Sequence, residues 1–308
     1  MELEIVRWLR DRLPASKRVT VGPGDDAAIL DWSCGSPVLV ACDTIVEGLD
    51  FNFDTSSPEQ IGHKVLAINL SDVAAMAGTP VGATVSLVLP DGDPLGLCQR
   101  LIEGMLPLAQ RYGVDLVGGD ISIWNGPLVA TVNLIGAQGP HALWCRKGAS
   151  AGDAILLTGQ LGGSILGHHL DFEPRVRESL QLAAEYQIKA AIDISDGLTL
   201  DLHRLASENG LRAILDLQAI PISDAAFTLA AKPGAGLTAL DHALQDGEDF
   251  ELLLVVDVTE ATRIVSNQQL GVQITAIGTL SEGSGVWSRD SAGLLHPLDP
   301  AGYIHGTA

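Results

Sequence analysis

The stretch Ala190-Ala191-Ile192-Asp193-Ile194-Ser195-Asp196-Gly197-Leu198 joins a short apolar run to two acids, a hydroxyl and a glycine. Leucines at helical spacing follow it, between positions 198 and 205. The pattern predicts a strand that ends at the start of a helix and presents two carboxylates there. Asp196 can act as the helix N-cap, but Asp193 precedes the turn and has no such role. Two acids at such a junction are typical Mg²⁺ ligands when further carboxylates reach the same place.

Acids in the first fifty residues also stand beside predicted strands. Asp25 and Asp26 lie in a Gly/Pro loop and open an apolar strand. Adjacent like charges disfavour one another, so this pair favours a functional site over a plain turn. Asp43 follows a second strand, predicted over 37–42. These positions predict that both segments contribute carboxylates to the same site.

Two more acids interrupt apolar elements. Asp72 lies in an apolar helix predicted over 59–77 and continues its polar side only in part, so a buried, metal-paired carboxylate is at least as well supported as an exposed one. Asp120 follows Gly118-Gly119 after a short strand predicted over 114–117. Glycines let a backbone approach a phosphate closely, and an acid after them can hold the accompanying ion.

The composition limits the classes of function. The chain has 308 residues, 46% of them hydrophobic, and carries 38 acidic against 18 basic residues, for a formal charge of −20. That charge argues against nucleic acid and anionic membranes as partners, because both would be repelled. The four cysteines show no zinc or disulfide spacing, which favours buried thiols in a reducing, cytoplasmic location.

The chain divides into two predicted domains at a small, polar, charged segment that begins at Arg146. We expect an N-terminal domain over 1–145 and, from the alternation of predicted strands and helices, an α+β domain over 146–308. An amphipathic helix is predicted over 2–13. The chain has no P-loop, no Rossmann glycine motif and no protein-kinase motif set, so converging acids with several Mg²⁺ ions would make a different kind of ATP site.

Six motifs, in this order and spacing, resemble the thiamine-monophosphate kinase family of the aminoimidazole-ribonucleotide synthetase superfamily. They are Gly24-Asp25-Asp26-Ala27-Ala28, Asp43-Thr44-Ile45-Val46-Glu47-Gly48, Lys64-Val65-Leu66-Ala67-Ile68-Asn69-Leu70-Ser71-Asp72-Val73-Ala74-Ala75-Met76, Gly118-Gly119-Asp120, Ile192-Asp193-Ile194-Ser195-Asp196-Gly197-Leu198 and Gly247-Glu248-Asp249-Phe250-Glu251-Leu252. The resemblance implies an N-terminal α/β domain with a mixed sheet over 1–145, which holds metal and ATP and forms the dimer, and a C-terminal α+β domain. It also implies transfer of the γ-phosphoryl group of ATP to thiamine monophosphate, and a homodimer whose N-terminal sheets form a shared barrel.

The resemblance also implies roles for individual residues. The metal ligands would be Asp26, Cys42 through its carbonyl, Asp43, Asp72, Asp120, Asp193 and Asp196. Of these, Asp120, Asp193 and Asp196 would be the catalytic set. ATP would contact Tyr112, Gly119, Asp120, Arg146 and Ser195. Thiamine would face Asp50, Glu248 and Tyr303, with Tyr303 or Trp144 stacking on its ring and Glu248 or Asp50 offsetting its positive charge.

Several positions depart from the family pattern. Cys42 replaces a hydroxyl residue, the segment after Asp120 is longer, Asp50 stands where His is common, and Asp246-Gly247 replaces a glycine pair. They leave three alternatives open: a binding protein of the same fold without turnover, another synthetase of the superfamily, and a structural protein that binds divalent metal. Retention of the aspartates argues against the first alternative. Another synthetase would need a reactive cysteine in a Gly-rich N-terminal loop, and the sequence shows none. A structural metal-binding protein would be expected to have a contiguous Ca²⁺ loop, whereas the acids here are spread over several strand ends.

Overall fold

The computed structural model describes residues 19–21, 26, 28–32, 36–234, 236–267, 270–290 and 292–304. The helix predicted over 2–13 and the acid Asp25 lie outside these residues. Among the helices described here, none is long and apolar enough to cross a bilayer.

The N-terminal half builds a six-stranded mixed sheet in the order β1-β2-β3-β6-β4-β5, in which β5 runs parallel to β4 and the other pairs are antiparallel. Its elements are β1 (Val19–Val21), β2 (Ala28–Trp32), β3 (Ser36–Val46), α1 (Pro58–Ala75), β4 (Thr79–Pro90), α2 (Pro94–Tyr112), β5 (Asp115–Trp124) and β6 (Val129–Ala137).

Two predicted strand ends in this half are wrong. Strand β3 continues past position 42, so Asp43 lies inside the strand and not at its end. Strand β5 continues through Gly118 and Gly119 to Trp124, where a short strand was predicted. The ladder with β4 explains the second difference, because it supplies hydrogen-bond partners across the glycines. A Cβ on Gly119 would stand 1.7 Å from the Val85 carbonyl oxygen, so strand packing already requires that glycine.

The C-terminal half builds a seven-stranded sheet in the order β13-β12-β9-β11-β7-β10-β8. Its elements are β7 (Ala154–Thr158), a 3₁₀ turn (Ser164–Leu166), α3 (His168–Asp171), α4 (Val176–Glu185), β8 (Ala190–Asp193), α5 (Leu198–Glu208), β9 (Leu211–Asp216), α6 (Asp224–Ala230), α7 (Ala239–Gln245), β10 (Leu252–Val256), α8 (Val258–Asn267), β11 (Ile274–Glu282), β12 (Val286–Arg289) and β13 (Leu295–Leu298). The sequence analysis missed α7, β12 and β13, which are short.

Helix α1 lies between the two halves. A capping box begins it: Ser57 accepts from the Gln60 N–H, and the Gln60 side chain accepts from the Ser57 N–H. Pro58 takes the first helical position, where no donor is lost. The helix packs on β3 and β6 on one side and on α3, α4 and β8 on the other. One continuous apolar core therefore runs through both halves, and α1 carries side chains into the space between them.

Candidate active site

Four carboxylates from the two halves of the chain lie close together. Oxygen atoms of Asp26, Asp72 and Asp193 all lie within 4.8 Å of one another. Asp43 shares a hydrogen bond with Asp72 and so joins the same group. These four side chains are called the acid cluster below. The sequence analysis predicted all four as metal ligands, and the structure brings them together.

Each member of the acid cluster comes from a different element. Asp193 is the last residue of β8 and Asp72 lies near the end of α1. Asp43 projects from β3 toward α1, because it shares the buried face of that strand with Ala41 and Ile45. Ser71 Oγ donates to Asp193 at 2.6 Å and so fixes the orientation of one carboxylate.

The acid cluster is electrostatically unfavourable by itself. Burial, and then the neighbouring Asp43, Asp193 and Asp26, raise the pKa of Asp72 well above its usual range. Burial, and then Asp26, do the same to the pKa of Asp193. Arg146 compensates in part, since its guanidinium donates two hydrogen bonds of 2.9 Å to Asp26. Divalent cations with oxygen preference, such as Mg²⁺, fit this donor set and would relieve the repulsion.

The turn after β8 holds Asp196 beside the acid cluster through a residue that the sequence analysis missed. The Asp201 carboxylate accepts from the backbone N–H groups of Ser195, Asp196 and Gly197 at 3.1, 2.9 and 3.2 Å. Arg204 Nη1 bridges Asp196 at 2.5 Å and Asp201 at 2.7 Å. The available sequence signal for Asp201 was an acid among leucines in the first turn of this helix.

A cavity of about 640 Å³ opens from the acid cluster. Eight of the predicted site residues line it: Asp43, Asp50, Asp72, Asp193, Ser195, Asp196, Glu248 and Tyr303. Asp26 and Arg146 do not line the cavity; Asp26 contacts Asp193 within the acid cluster, and Arg146 binds Asp26. The cavity is therefore acidic and metal-compatible at one end, and wide enough for a drug-sized organic molecule.

A buried cation, Lys64, lies behind the end of the cavity that Asp50 and Glu248 line. Lys64 on α1 is fully buried; its Nζ donates to the Asp50 carbonyl at 2.8 Å and lies 2.5 Å from a Glu248 carboxylate oxygen. The Tyr303 N–H donates to the Asp196 carbonyl at 2.8 Å, which holds the C-terminal segment at the cavity. Trp144 does not reach this end, because it is buried in the apolar core.

Two predicted site residues lie on the far side of the N-terminal sheet. Asp120 is in cross-strand register with Ser86, Ser86 with Thr131, and Thr131 with Thr44. Neighbours along a strand face opposite sides, so Asp120 faces away from the side that Asp43 faces. Cys42 faces away from Asp43 for the same reason and is exposed, which corrects the expectation of a buried thiol.

Tyr112 also lies apart from the acid cluster. Its hydroxyl donates to a Glu173 carboxylate oxygen and to the Pro174 carbonyl, and Arg177 stands over its ring. Among the described residues, three of the predicted ATP contacts therefore lie away from the cavity: Tyr112, Gly119 and Asp120.

Two family models and a curated relative match most of the chain. The models of the AIR synthase related protein N-terminal and C-terminal domains match residues 24–137 and 150–287. A thiamine-monophosphate kinase from Rhodopirellula baltica is 42% identical over 99% of this chain and 98% of its own length. The chain belongs to the thiamine-monophosphate kinase family. Family members are phosphotransferases, so the predicted kinase class is confirmed.

Solved structures of thiamine-monophosphate kinases share the fold. The enzyme from Stenotrophomonas maltophilia K279a superposes with a TM-score of 0.74 at 29% identity, over 93% of this chain and 95% of its own. AaThiL complexed with AMPPCP and TMP superposes with a TM-score of 0.77 at 26% identity, over 99% of this chain and 96% of its own. The predicted two-part α/β and α+β fold class is confirmed.

One departure from the thiamine-monophosphate kinase pattern has a local structural reason. Asp246, which stands where the family commonly has glycine, accepts from the Gly163 N–H at 2.8 Å. His242 Nδ1 lies 3.0 Å from the same carboxylate, one turn earlier on α7. The pair ties α7 to the loop before the 3₁₀ turn, and both side chains line the cavity.

Proposed function

We propose that this chain phosphorylates thiamine monophosphate to thiamine diphosphate with ATP, assisted by several Mg²⁺ ions. One observation carries the proposal: Asp43, Asp72 and Asp193 of the acid cluster line the same cavity of about 640 Å³ as Glu248 and Tyr303. Two anionic phosphates would need the acids with their metal ions, and a ring-bearing organic group would need the remaining wall. The AaThiL complex with AMPPCP and TMP supports the choice of substrates.

The residues suit a direct phosphoryl transfer. The acceptor is a phosphate oxygen that is already ionised near neutral pH, so no catalytic base is required. The barrier is the approach of two anions, and bound Mg²⁺ would neutralise that charge and align the oxygens. Asp26, Asp43, Asp72 and Asp193 would hold the ions, with Asp196 reaching in from its turn. These five aspartates therefore serve as ligands and positioning groups.

Two further residues would contact ATP. Arg146 sits at the acid cluster with a fixed guanidinium, so it can add positive charge at the phosphates once Mg²⁺ shares Asp26. Ser195 lies in the cavity wall, and Asp201 holds its backbone, so its hydroxyl starts from a defined position. Both assignments follow from the family resemblance and agree with the geometry.

We also propose a homodimer in which Asp120 serves the partner's site. Three strand spacings, about 14 Å in all, separate Asp120 from Asp43 across the sheet, and the two face opposite sides. A chain therefore cannot add its own Asp120 to its own acid cluster. The edge strand β5 exposes apolar side chains on both of its faces, which suits contact with a second copy: Val117, Ile121, Ile123 and Trp124.

A direct assay tests the proposed function. Purified protein with ATP, Mg²⁺ and thiamine monophosphate should release ADP and form thiamine diphosphate in equal amounts, and chelation with EDTA should abolish both. Tight ATP binding without product would favour a binding protein of the same fold. Turnover with another acceptor alone would favour another synthetase chemistry.

Mg²⁺ should stabilise the protein, and more strongly as the pH rises. Burial and mutual proximity raise the pKa values of Asp43, Asp72 and Asp193 in the folded state. Their protonated forms therefore stabilise the fold below about pH 4, the ordinary aspartate pKa, and this contribution is lost as the pH rises through the raised values. Without metal we expect the Tm to fall between pH 5 and 8.

Added Mg²⁺ competes with those protons, so its effect should be larger at pH 8 than at pH 6. At a hundredfold excess over Kd the stabilisation is about 2.7 kcal/mol, or about 5 °C for a chain of this size. Differential scanning fluorimetry measures how the Tm changes with pH, once with Mg²⁺ and once with EDTA. A Tm that Mg²⁺ does not change at any pH would contradict the proposed metal site.

A further inference from the structure

Lys64 is an unusual residue for the interior of a helix between two domains. Its side chain has no exposed surface, while Glu248, its carboxylate partner, keeps 31% of its side-chain surface exposed toward the cavity. Burying an ammonium group is costly unless it is paired and hydrogen-bonded. Lys64 meets both conditions through Glu248 and the Asp50 carbonyl, so the ion pair is a built part of the cavity wall.

The backbone at Glu248 is also constrained. Glu248 and Phe250 have φ values of 63° and 50°, in the left-handed region that side-chain-bearing residues rarely adopt. The Glu248 N–H donates to the Ser195 carbonyl at 2.7 Å, and the Phe250 N–H to the Ile194 carbonyl at 2.8 Å. The strand-to-helix turn and Lys64 thus hold the Glu248 carboxylate from two sides, in a single position at the cavity.

Because Lys64 already neutralises it, Glu248 is poorly suited to balance a second positive charge. It keeps lone pairs that can accept a hydrogen bond from a neutral donor. We propose that Lys64 is a positioning residue that makes Glu248 a hydrogen-bond acceptor for the ring amino group of the acceptor substrate. This inference rests on the proposed function and replaces the sequence-based interpretation of Glu248 as a counter-charge for the thiazolium ring.

The spacing along α1 agrees with this assignment. Lys64 and Asp72 lie eight residues apart on one helix, which is about 12 Å. Asp72 marks the phosphate end of the cavity and Lys64 marks the opposite end. In thiamine monophosphate the phosphate and the aminopyrimidine ring are at opposite ends of the molecule, with the thiazolium ring between them. A single rigid helix therefore sets the distance between phosphate recognition and amino-group recognition.

Two acceptors and five protein forms, one of them a control, test the inference. The acceptors are thiamine monophosphate and its analogue in which an oxo group replaces the pyrimidine amino group. The wild type should prefer the amino compound by about a hundredfold in kcat/KM, because a fixed carboxylate facing a carbonyl has no donor. Glu248→Gln should reduce that preference to below tenfold, since an amide can turn its NH₂ toward the oxo group.

Lys64→Met should raise the KM for thiamine monophosphate at least tenfold and leave the KM for ATP within twofold. Because it leaves the Glu248 carboxylate without its charged partner, it should also lower the Tm. The double variant Lys64→Met/Glu248→Gln removes both charges, so its Tm should return toward wild type while the preference for the amino compound stays lost. If the ion pair were merely structural, the Tm and the preference for the amino compound would recover together in the double variant.

Lys189→Met is the matched control, because Lys189 forms a 2.5 Å ion pair with Asp153 away from the cavity. It should change Tm without changing either KM or the preference. Equal use of both acceptors by an active wild type, or an unchanged preference in Glu248→Gln, would overturn the inference and leave the proposed function standing. A wild type that phosphorylates neither acceptor would overturn the proposed function, and the inference with it.

Discussion

Asp72→Asn is expected to lower kcat for thiamine diphosphate formation by about a thousandfold or more without unfolding the protein. Asp72 lies at the centre of the acid cluster, within reach of Asp26 and Asp193 and hydrogen-bonded with Asp43. An amide cannot supply the negative charge that holds Mg²⁺ against two phosphates. A thousandfold loss corresponds to about 4 kcal/mol of transition-state stabilisation.

The same substitution should leave the metal-free protein as stable as wild type, or more stable. The pKa of Asp72 is raised by burial and by its neighbours, which means that its charge opposes folding. Steady-state assays and Tm values in EDTA measure the two effects. Glu103→Gln, an exposed acid on α2, is the matched control and should change neither. Activity within tenfold of wild type in Asp72→Asn would exclude the acid cluster as the metal site.

Mixing two inactive variants should restore activity. Asp120→Asn and Asp72→Asn should each be inactive as pure dimers, because every site lacks one ligand. In a heterodimer, one site combines an intact acid cluster with the partner subunit's Asp120. If subunits exchange freely, half of the dimers are mixed and each has one working site, so we expect about a quarter of wild-type activity per subunit.

A second mixture distinguishes complementation from contamination or refolding. Asp72→Asn and Asp193→Asn both remove members of one chain's acid cluster, so their heterodimers should have no complete site. Co-expression with two affinity tags isolates the mixed dimers directly. A site shared between subunits would be contradicted if activity did not recover in the mixture of Asp120→Asn with Asp72→Asn, or if it recovered equally in both mixtures.

Much of the site was predictable because its chemistry is local to short segments. Acids that interrupt apolar elements are costly without a partner, so Asp72 and Asp193 were recognisable from their neighbours in sequence. The strand-to-helix junction around Asp196 was recognisable because a glycine follows the acids. A Cβ on Gly197 would lie 2.9 Å from the Gln245 carbonyl, at a φ of 120°. Asp201 was missed because its role depends on three backbone N–H groups that turn toward it only in the folded chain.

The sequence by itself determined the family, through the resemblance of its motifs, and the two-part fold class, since hydrophobic periodicity and residue type are properties of short segments. Only the tertiary structure decided which of the candidate site residues meet. Asp120 faces away from the acid cluster because cross-strand register sets the side that each residue faces. Lys64 is buried because the C-terminal half covers the helix side that looked polar by itself. Both outcomes depend on contacts between segments far apart in the chain, which no local pattern contains.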